Sequence, residues 1–276
     1  MTYSTVMAHL EVGHANHAVL KIALDLAERF HAHIIGIAAY QPMQLVYGDG
    51  YVAGEVIQQI SAEIEAEAMQ AEIEFRSAVG DRFANPEWRS VMTMSPLADY
   101  IAREARGTDL LVTGLDQNVS MFDTSRHVNL SDLVLQTGRP VLIVPNAATA
   151  MNLDRVMIGW KDRPEARRAI LDALPLLHHA GDVLLVEIAA ADEHEHAHKR
   201  LADVQSWLAR HTIKSRTLVA PSTGHDSARL DAIAREQNAD VIVAGAYGHS
   251  RLSEWVLGGV TRDLLLKAGR CTLVSH

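Results

Sequence analysis

The sequence predicts an α/β fold made of two tandem parallel sheets of five strands each, and three observations carry that prediction. Short apolar runs of strand length alternate with amphipathic helical stretches along the whole chain. A crossover helix must return the chain to the same end of the sheet, so the alternation implies parallel strands with helices on both faces. The order of segments then restarts near the middle. Asp109-Leu-Leu-Val-Thr-Gly114 matches Asp240-Val-Ile-Val-Ala-Gly245, and Asp132-Leu-Val-Leu-Gln-Thr-Gly-Arg139 matches Asp263-Leu-Leu-Leu-Lys-Ala-Gly-Arg270, both 131 residues apart. Ile101-Ala-Arg-Glu104 recurs as Ile233-Ala-Arg-Glu236 at 132. Three matches in order at a nearly constant offset mark a duplication. One doubly wound sheet of ten strands is the competing arrangement, but 276 residues divide naturally into two domains of ordinary size. The boundary falls in the small-residue stretch 146–153, giving domains 1–147 and 153–276.

The elements follow in order. Residues 5–10 read as a strand, and Leu20, Ala23, Leu24, Ala27 and Phe30 line one face of the helix after it. A β-branched run at 33–39 is the second strand. A long helix over 52–79 carries Ile57, Ile60, Ile64, Ala71 and Phe75 near helical spacing, with glutamates on its other faces. Strands at 87–93, 110–113 and 141–144 alternate with helices at 96–105 and about 130–137. The second half repeats this with strands at 156–160, 183–188, 215–219, 241–244 and 272–275 and helices at 164–177, 196–209 and 227–236.

Composition narrows the function. Acidic residues number 34 against 25 basic, a net charge of −9, which disfavours nucleic acid or an anionic membrane as partner. Cys271 is the sole cysteine, so a disulfide framework and a cysteine-based zinc knuckle are both excluded. No apolar run has the ~18 residues of a membrane span, and the start Met-Thr-Tyr-Ser-Thr-Val has no cationic segment before an apolar one. The expectation is a soluble, cytoplasmic protein. Residues 1–147 hold 9 basic and 18 acidic groups, whereas 148–276 hold 16 of each, so an anionic ligand meets less repulsion in the second half. Much of the surplus sits on the glutamate-rich helix around 63–74, which reads simply as a solvated face.

One constellation reads as a ligand site. Ala244-Gly-Ala-Tyr-Gly-His-Ser-Arg251 directly follows an apolar strand, and Gly258-Gly-Val-Thr261 opens the last helix. The spacing is Gly245-x2-Gly248-x9-Gly258-Gly259. Glycines at a strand's carboxyl end let the backbone approach a bulky group, and a helix N-terminus offers unpaired N–H donors. Together they make a phosphate cradle at the edge where open α/β sheets bind ligands. Thr261 and Ser250 supply hydroxyls, Val260 a backbone N–H, and His249 and Arg251 cationic donors. The plain alternative is a glycine-rich crossover with nothing bound.

Gly-x2-Gly-x9-Gly followed by a hydroxyl residue resembles the nucleotide signature of the universal stress protein family, as does the Gly-Arg-Cys-Thr-Leu-Val ending. Ile158-Gly-Trp-Lys-Asp-Arg-Pro is similar to that family's first strand and loop. The resemblance covers nearly the whole chain as a tandem pair. It implies Rossmann-like domains of the adenine nucleotide alpha hydrolase type, packed as a pseudo-dimer within one chain, with a further homodimer left open. It also implies ATP, with magnesium accompanying it, held by the second half, and adenosine against Trp160 and Asp162 at the end of the 156–160 strand. The chain departs from the signature where family binders carry Ser or Thr after the third glycine, because Gly259 stands there. Lys161 takes the place of the first-strand aspartate, with Asp162 one residue on. The first half departs further: Gly248, Gly258 and Gly259 correspond to Gln117, His127 and Val128, and the first-strand position is Glu11. Side chains there obstruct a backbone cradle, so no nucleotide is expected in that half.

The resulting expectation is a nucleotide-binding stress-response sensor or adaptor with an unidentified protein partner, not a metabolic enzyme. The alternatives are a slow ATPase or nucleotidyl-transfer enzyme of the same fold, and a nucleotide-free carrier of an apolar ligand. The sequence contains no nucleophile elbow or lysine-bearing phosphate loop. In Asp192-Glu-His-Glu-His-Ala-His198, His194 and His198 would share a helix face at i and i+4, a metal-ligand spacing that still lacks further ligands. The simpler reading is a solvated helix start. Cys271, Met92 and Met94 read as core.

Overall fold

A computed structural model describes residues 2–42, 54–115, 125–224, 226–246 and 269–276. The first half runs β1 (Thr5–His9), α1 (His17–Phe30), β2 (His33–Tyr40), α2 (Gly54–Val79), β3 (Glu87–Met92), α3 (Leu97–Glu104), β4 (Leu110–Gly114), α4 (Leu130–Thr137) and β5 (Val141–Val144). The second runs β6 (Arg155–Trp160), α5 (Pro164–Asp172), α6 (Leu174–Leu177), β7 (Asp182–Ala189), α7 (His194–Arg210), β8 (Arg216–Pro221), α8 (Asp226–Glu236), β9 (Val241–Gly245) and β10 (Cys271–Ser275). Most strands sit within a residue or two of expectation, because buried parallel strands are the apolar runs themselves.

The ten strands form one sheet in the order β3-β2-β1-β4-β5-β10-β9-β6-β7-β8. Each half thus contributes five parallel strands in one order, with the chain reversing direction across the sheet between its first and fourth strands. The halves meet in the sheet's one antiparallel pairing, β5 with β10, where Leu273 faces Leu142, Val274 faces Val141 and Thr272 faces Ile143. Leu142 and Leu273 are duplication counterparts, 131 residues apart. The other two pairs exchange into each other under the same offset, so the joint has the self-complementary geometry of a two-fold dimer interface. The two arrangements weighed from sequence coexist: two five-stranded units, one continuous sheet.

One hydrophobic core runs along a face of both halves, from Tyr3 and Phe30 to Leu153 and Trp160. Tyr3 Oη donates to the Asp172 carbonyl at 2.7 Å, and Phe30 meets His179 edge-on with centroids 5.3 Å apart, tying the halves together. The opposite face holds separate clusters under α3 and α4 and under α8. The predicted α1 face is buried throughout, as are Ile64, Ala71 and Phe75 of α2.

Two expectations are corrected. The helix over 164–177 is two helices, because Pro175 lacks an N–H and its ring opposes the preceding turn, so α6 restarts at Leu174. Met92 and Met94 are not core: they are 51% and 74% exposed. Met92 lies on the edge strand β3, whose alternation turns it outward, and Met94 lies beyond the strand. Cys271 is buried as expected, and burial pushes its thiol up to about 12.

Candidate functional site

In an open parallel sheet, ligands bind outside the carboxyl ends of the strands where the chain reverses direction. Here those points are β1 beside β4 and β6 beside β9. The register fixes the correspondence between them. Val6 pairs with Leu110 as Val156 pairs with Val241, so Glu11 occupies the place of Lys161.

In the second half, β6 ends at Trp160 and β9 at Gly245, with Gly159 registered on Ala244. Only three residues, 161–163, separate β6 from α5, which opens on Pro164 at its first position, where the missing N–H has no bond to lose. The short loop lays the first turn of α5 on the end of β9. A Cβ at Gly245 would lie 2.5 Å from Ala166 N and 2.6 Å from the Glu165 carbonyl carbon. Packing therefore demands glycine here whether or not a phosphate binds. Asp162 is exposed and pairs with Arg167 at 2.6 Å. Trp160 is buried, its Nε1 without a partner among the described residues. It floors a groove of about 560 Å³ between α5 and α7, with Ile170, Leu171, Val204 and Trp207 as apolar walls and Asp162 at the rim. Arg200, also at this groove, is held by two contacts to the buried Glu187, at 2.5 and 3.0 Å. Trp160 and Asp162 are thus brought to one groove, while Gly245 lies outside its lining. Gly248, His249, Ser250, Arg251, Gly258, Gly259, Val260 and Thr261 lie outside the described residues.

His194 opens α7 and places Nε2 3.2 Å from the Ala189 carbonyl oxygen, while His196 and His198 are exposed. Among the described residues, no cluster of three candidate metal ligands includes any of them.

In the first half seven residues, 10–16, connect β1 to α1. The longer loop holds α1 back from the end of β4, and a Cβ at Gly114 would meet nothing nearer than Val19 Cγ2 at 3.5 Å. A crevice of about 260 Å³ opens there, lined by His9, Glu11, His14, Thr113 and Asn146 among others. Buried Asn16 shapes the loop: its Oδ1 accepts from Glu11 N at 2.8 Å and its Nδ2 donates to the carbonyls of Glu11 and His14, each at 3.0 Å. Gly13 supplies a positive φ of 79°, which closes the turn between Glu11 and His14. His127 arrives from the segment before α4. Arg126 pairs there with Glu67 at 3.0 Å, Val128 is buried, and Asn129 caps α4 by accepting from Ser131 N and Asp132 N. His127 Nδ1 lies 2.6 Å from Glu11 Oε1, and His14 Nδ1 lies 4.0 Å from Glu11 Oε2. Below them, buried His9 sets Nδ1 2.8 Å from Thr113 Oγ1. Burial lowers the His9 ring to about 4, so it is neutral at physiological pH. By offset, His127 reads only as a loss from a glycine cradle and Glu11 only as the residue at the first-strand position, while His14 sits in the extra loop residues that have no counterpart.

Comparison with known proteins places the second half. Residues 152–274 match the model of the Universal stress protein family. No curated protein matches the chain by sequence. Among solved structures, a universal stress protein from Archaeoglobus fulgidus superposes with TM-score 0.73 at 15% identity, covering 98% of this chain and 95% of that one. A functionally unknown protein from Pseudomonas aeruginosa superposes with TM-score 0.62 at 12% identity, covering 99% and 92%. The second half matches the universal stress protein family model, and the whole chain shares the fold of these full-length neighbours. Among the described residues, no helix is long and apolar enough to cross a membrane.

Proposed function

We propose, starting from the universal stress protein domain at 152–274, that this chain is a cytoplasmic stress-response protein binding ATP in its second half. It would act as a sensor or adaptor toward an unidentified protein partner, and not as a metabolic enzyme. The observation carrying this is the Gly245-x2-Gly248-x9-Gly258 spacing, launched from the end of β9 where the chain reverses direction across the sheet. The balanced charge of the second half supports an anionic ligand there. Phosphates would lie over 245–251 and 258–261, with magnesium beside them, and adenosine near Trp160 and Asp162. The first half would bind no nucleotide, so one nucleotide would load per chain.

Calorimetric titration with ATP tests this on the wild type and Gly248→Val. Losing one or two charge-assisted N–H contacts should weaken binding at least ~10-fold, about 1.4 kcal/mol. Equal affinity in both proteins, with the fold intact, rejects the site. Magnesium-dependent turnover in the same samples would move the reading to a slow ATPase.

The apolar groove between α5 and α7 favours a second reading, a carrier of an apolar ligand. Trp160 and Trp207 both line it, so quenching or blue-shift of tryptophan emission by an apolar probe, without ATP binding, would select the carrier.

A further inference from the structure

We propose that the first-half crevice is a binding site for a divalent transition-metal ion of the zinc type, held by Glu11, His14 and His127. Among the described residues these three form the group of histidine, cysteine and carboxylate side chains whose ligand atoms all lie within 4.8 Å of one another. Two imidazoles and a carboxylate are a donor set suited to zinc, with nickel and cobalt as close competitors. Ligand atoms around a tetrahedral zinc sit about 3.3 Å apart, from bonds of about 2.0–2.1 Å. The His127–Glu11 separation of 2.6 Å and the His14–Glu11 separation of 4.0 Å bracket that spacing, so small side-chain rotations complete the set. The imidazole rings already face one another, with centroids 4.9 Å apart.

The scaffold supports both segments that carry the three donors before any ion arrives. Asn16 clamps the loop carrying Glu11 and His14, while the Arg126–Glu67 pair, buried Val128 and the Asn129 cap bracket His127. Supports of this kind are what orient metal ligands. The duplication does not carry the trio, because in sequence Lys161 and Gly258 are the counterparts of Glu11 and His127. A separate observation points into the same crevice. His9 lines it, is 3% exposed, and its Nε2 has no hydrogen-bond partner among the described residues. Three protein ligands leave a fourth position of the ion open toward the crevice for water or an incoming ligand.

The test uses the full chain stripped with a chelator and titrated with zinc against a chromophoric indicator, with cobalt(II) absorption reporting the ligand set. Wild type should take up one ion per chain in saturable fashion. His14→Ala should weaken binding at least ~10-fold, since even supporting partners of a metal site carry 10–100-fold effects. His14 is an exposed loop side chain, so this variant keeps the fold and decides the question if His127→Ala does not. The His194→Ala/His198→Ala double variant should bind like wild type. Absence of saturable uptake by the stripped protein overturns the proposal, as does unchanged affinity in His14→Ala. Loss of binding confined to the double variant overturns it too, and moves the metal to the start of α7.

Discussion

The same sheet carries two different crevices, and the difference begins with loop length. Between β6 and α5 the chain spends three residues, and the first turn of α5 comes to rest on Gly245. Between β1 and α1 it spends seven, and the space above Gly114 stays open. Into that space the first half places Glu11 and His14, with His127 against Glu11, where the second half has Lys161 at the strand end and a glycine-rich loop. A duplicated frame therefore sets where a ligand can go. A few connecting residues set what chemistry waits there. Changing the frame should hurt both halves alike, whereas changing the crevices should hurt them unequally.

The largest expected effect is the symmetric one. Leu142 and Leu273 face each other at the β5–β10 joint and are fully buried. Leu142→Asp and Leu273→Asp should each destabilise by more than ~4 kcal/mol, because either buries an unpaired carboxylate. Urea unfolding of both variants measures it. A well-tolerated charge at one position only would show that the joint is not two-fold in energy. Next comes an asymmetric pair. Gly245→Ala should cost about 3 kcal/mol, the upper end of overpacking, since its Cβ meets the backbone of α5 at 2.5 Å. Gly114→Ala should stay within about 0.5 kcal/mol, with 3.5 Å of clearance to a side chain. Equal midpoints in the two variants would erase the contrast drawn from the loops. The smallest effect is expected at α7: His194→Ala/His198→Ala should change stability by no more than ~0.5 kcal/mol, read by thermal melting in chelator.

The frame was largely legible from residues because its signals are local. Runs such as Leu110-Leu-Val-Thr-Gly114 and Val141-Leu-Ile-Val144 are apolar enough to be parallel strands and nothing else of that length. The duplication offset also contained the joint, since pairing Leu142 with its own counterpart makes the neighbouring pairs equivalent. Yet no pattern within either strand says that the two will meet edge to edge. Met92 went wrong for a similar reason, as an apolar residue on an edge strand looks no different in sequence from one in the centre. The crevices were harder still. Glu11 and His127 are 116 residues apart and meet through sheet order, and Gly245, which reads as a phosphate residue, is also required by helix packing that its sequence neighbours do not reveal. The resemblance to universal stress proteins in the second half stands on its sequence. The matching frame of the first half stands on its backbone.

The antiparallel seam between β5 and β10 has a last consequence, for dosage and inheritance. Two separate chains joined by such a seam would part on dilution, and the population of pairs would follow expression level. Here a peptide link makes the partner's effective concentration a constant of the molecule. The two crevices are thus always present in equal number. In a pair of identical chains, moreover, every change in one pocket is copied into the other. Once both copies lie in a single reading frame, each can drift alone, and a glycine can become a histidine on one side while its twin stays as it was.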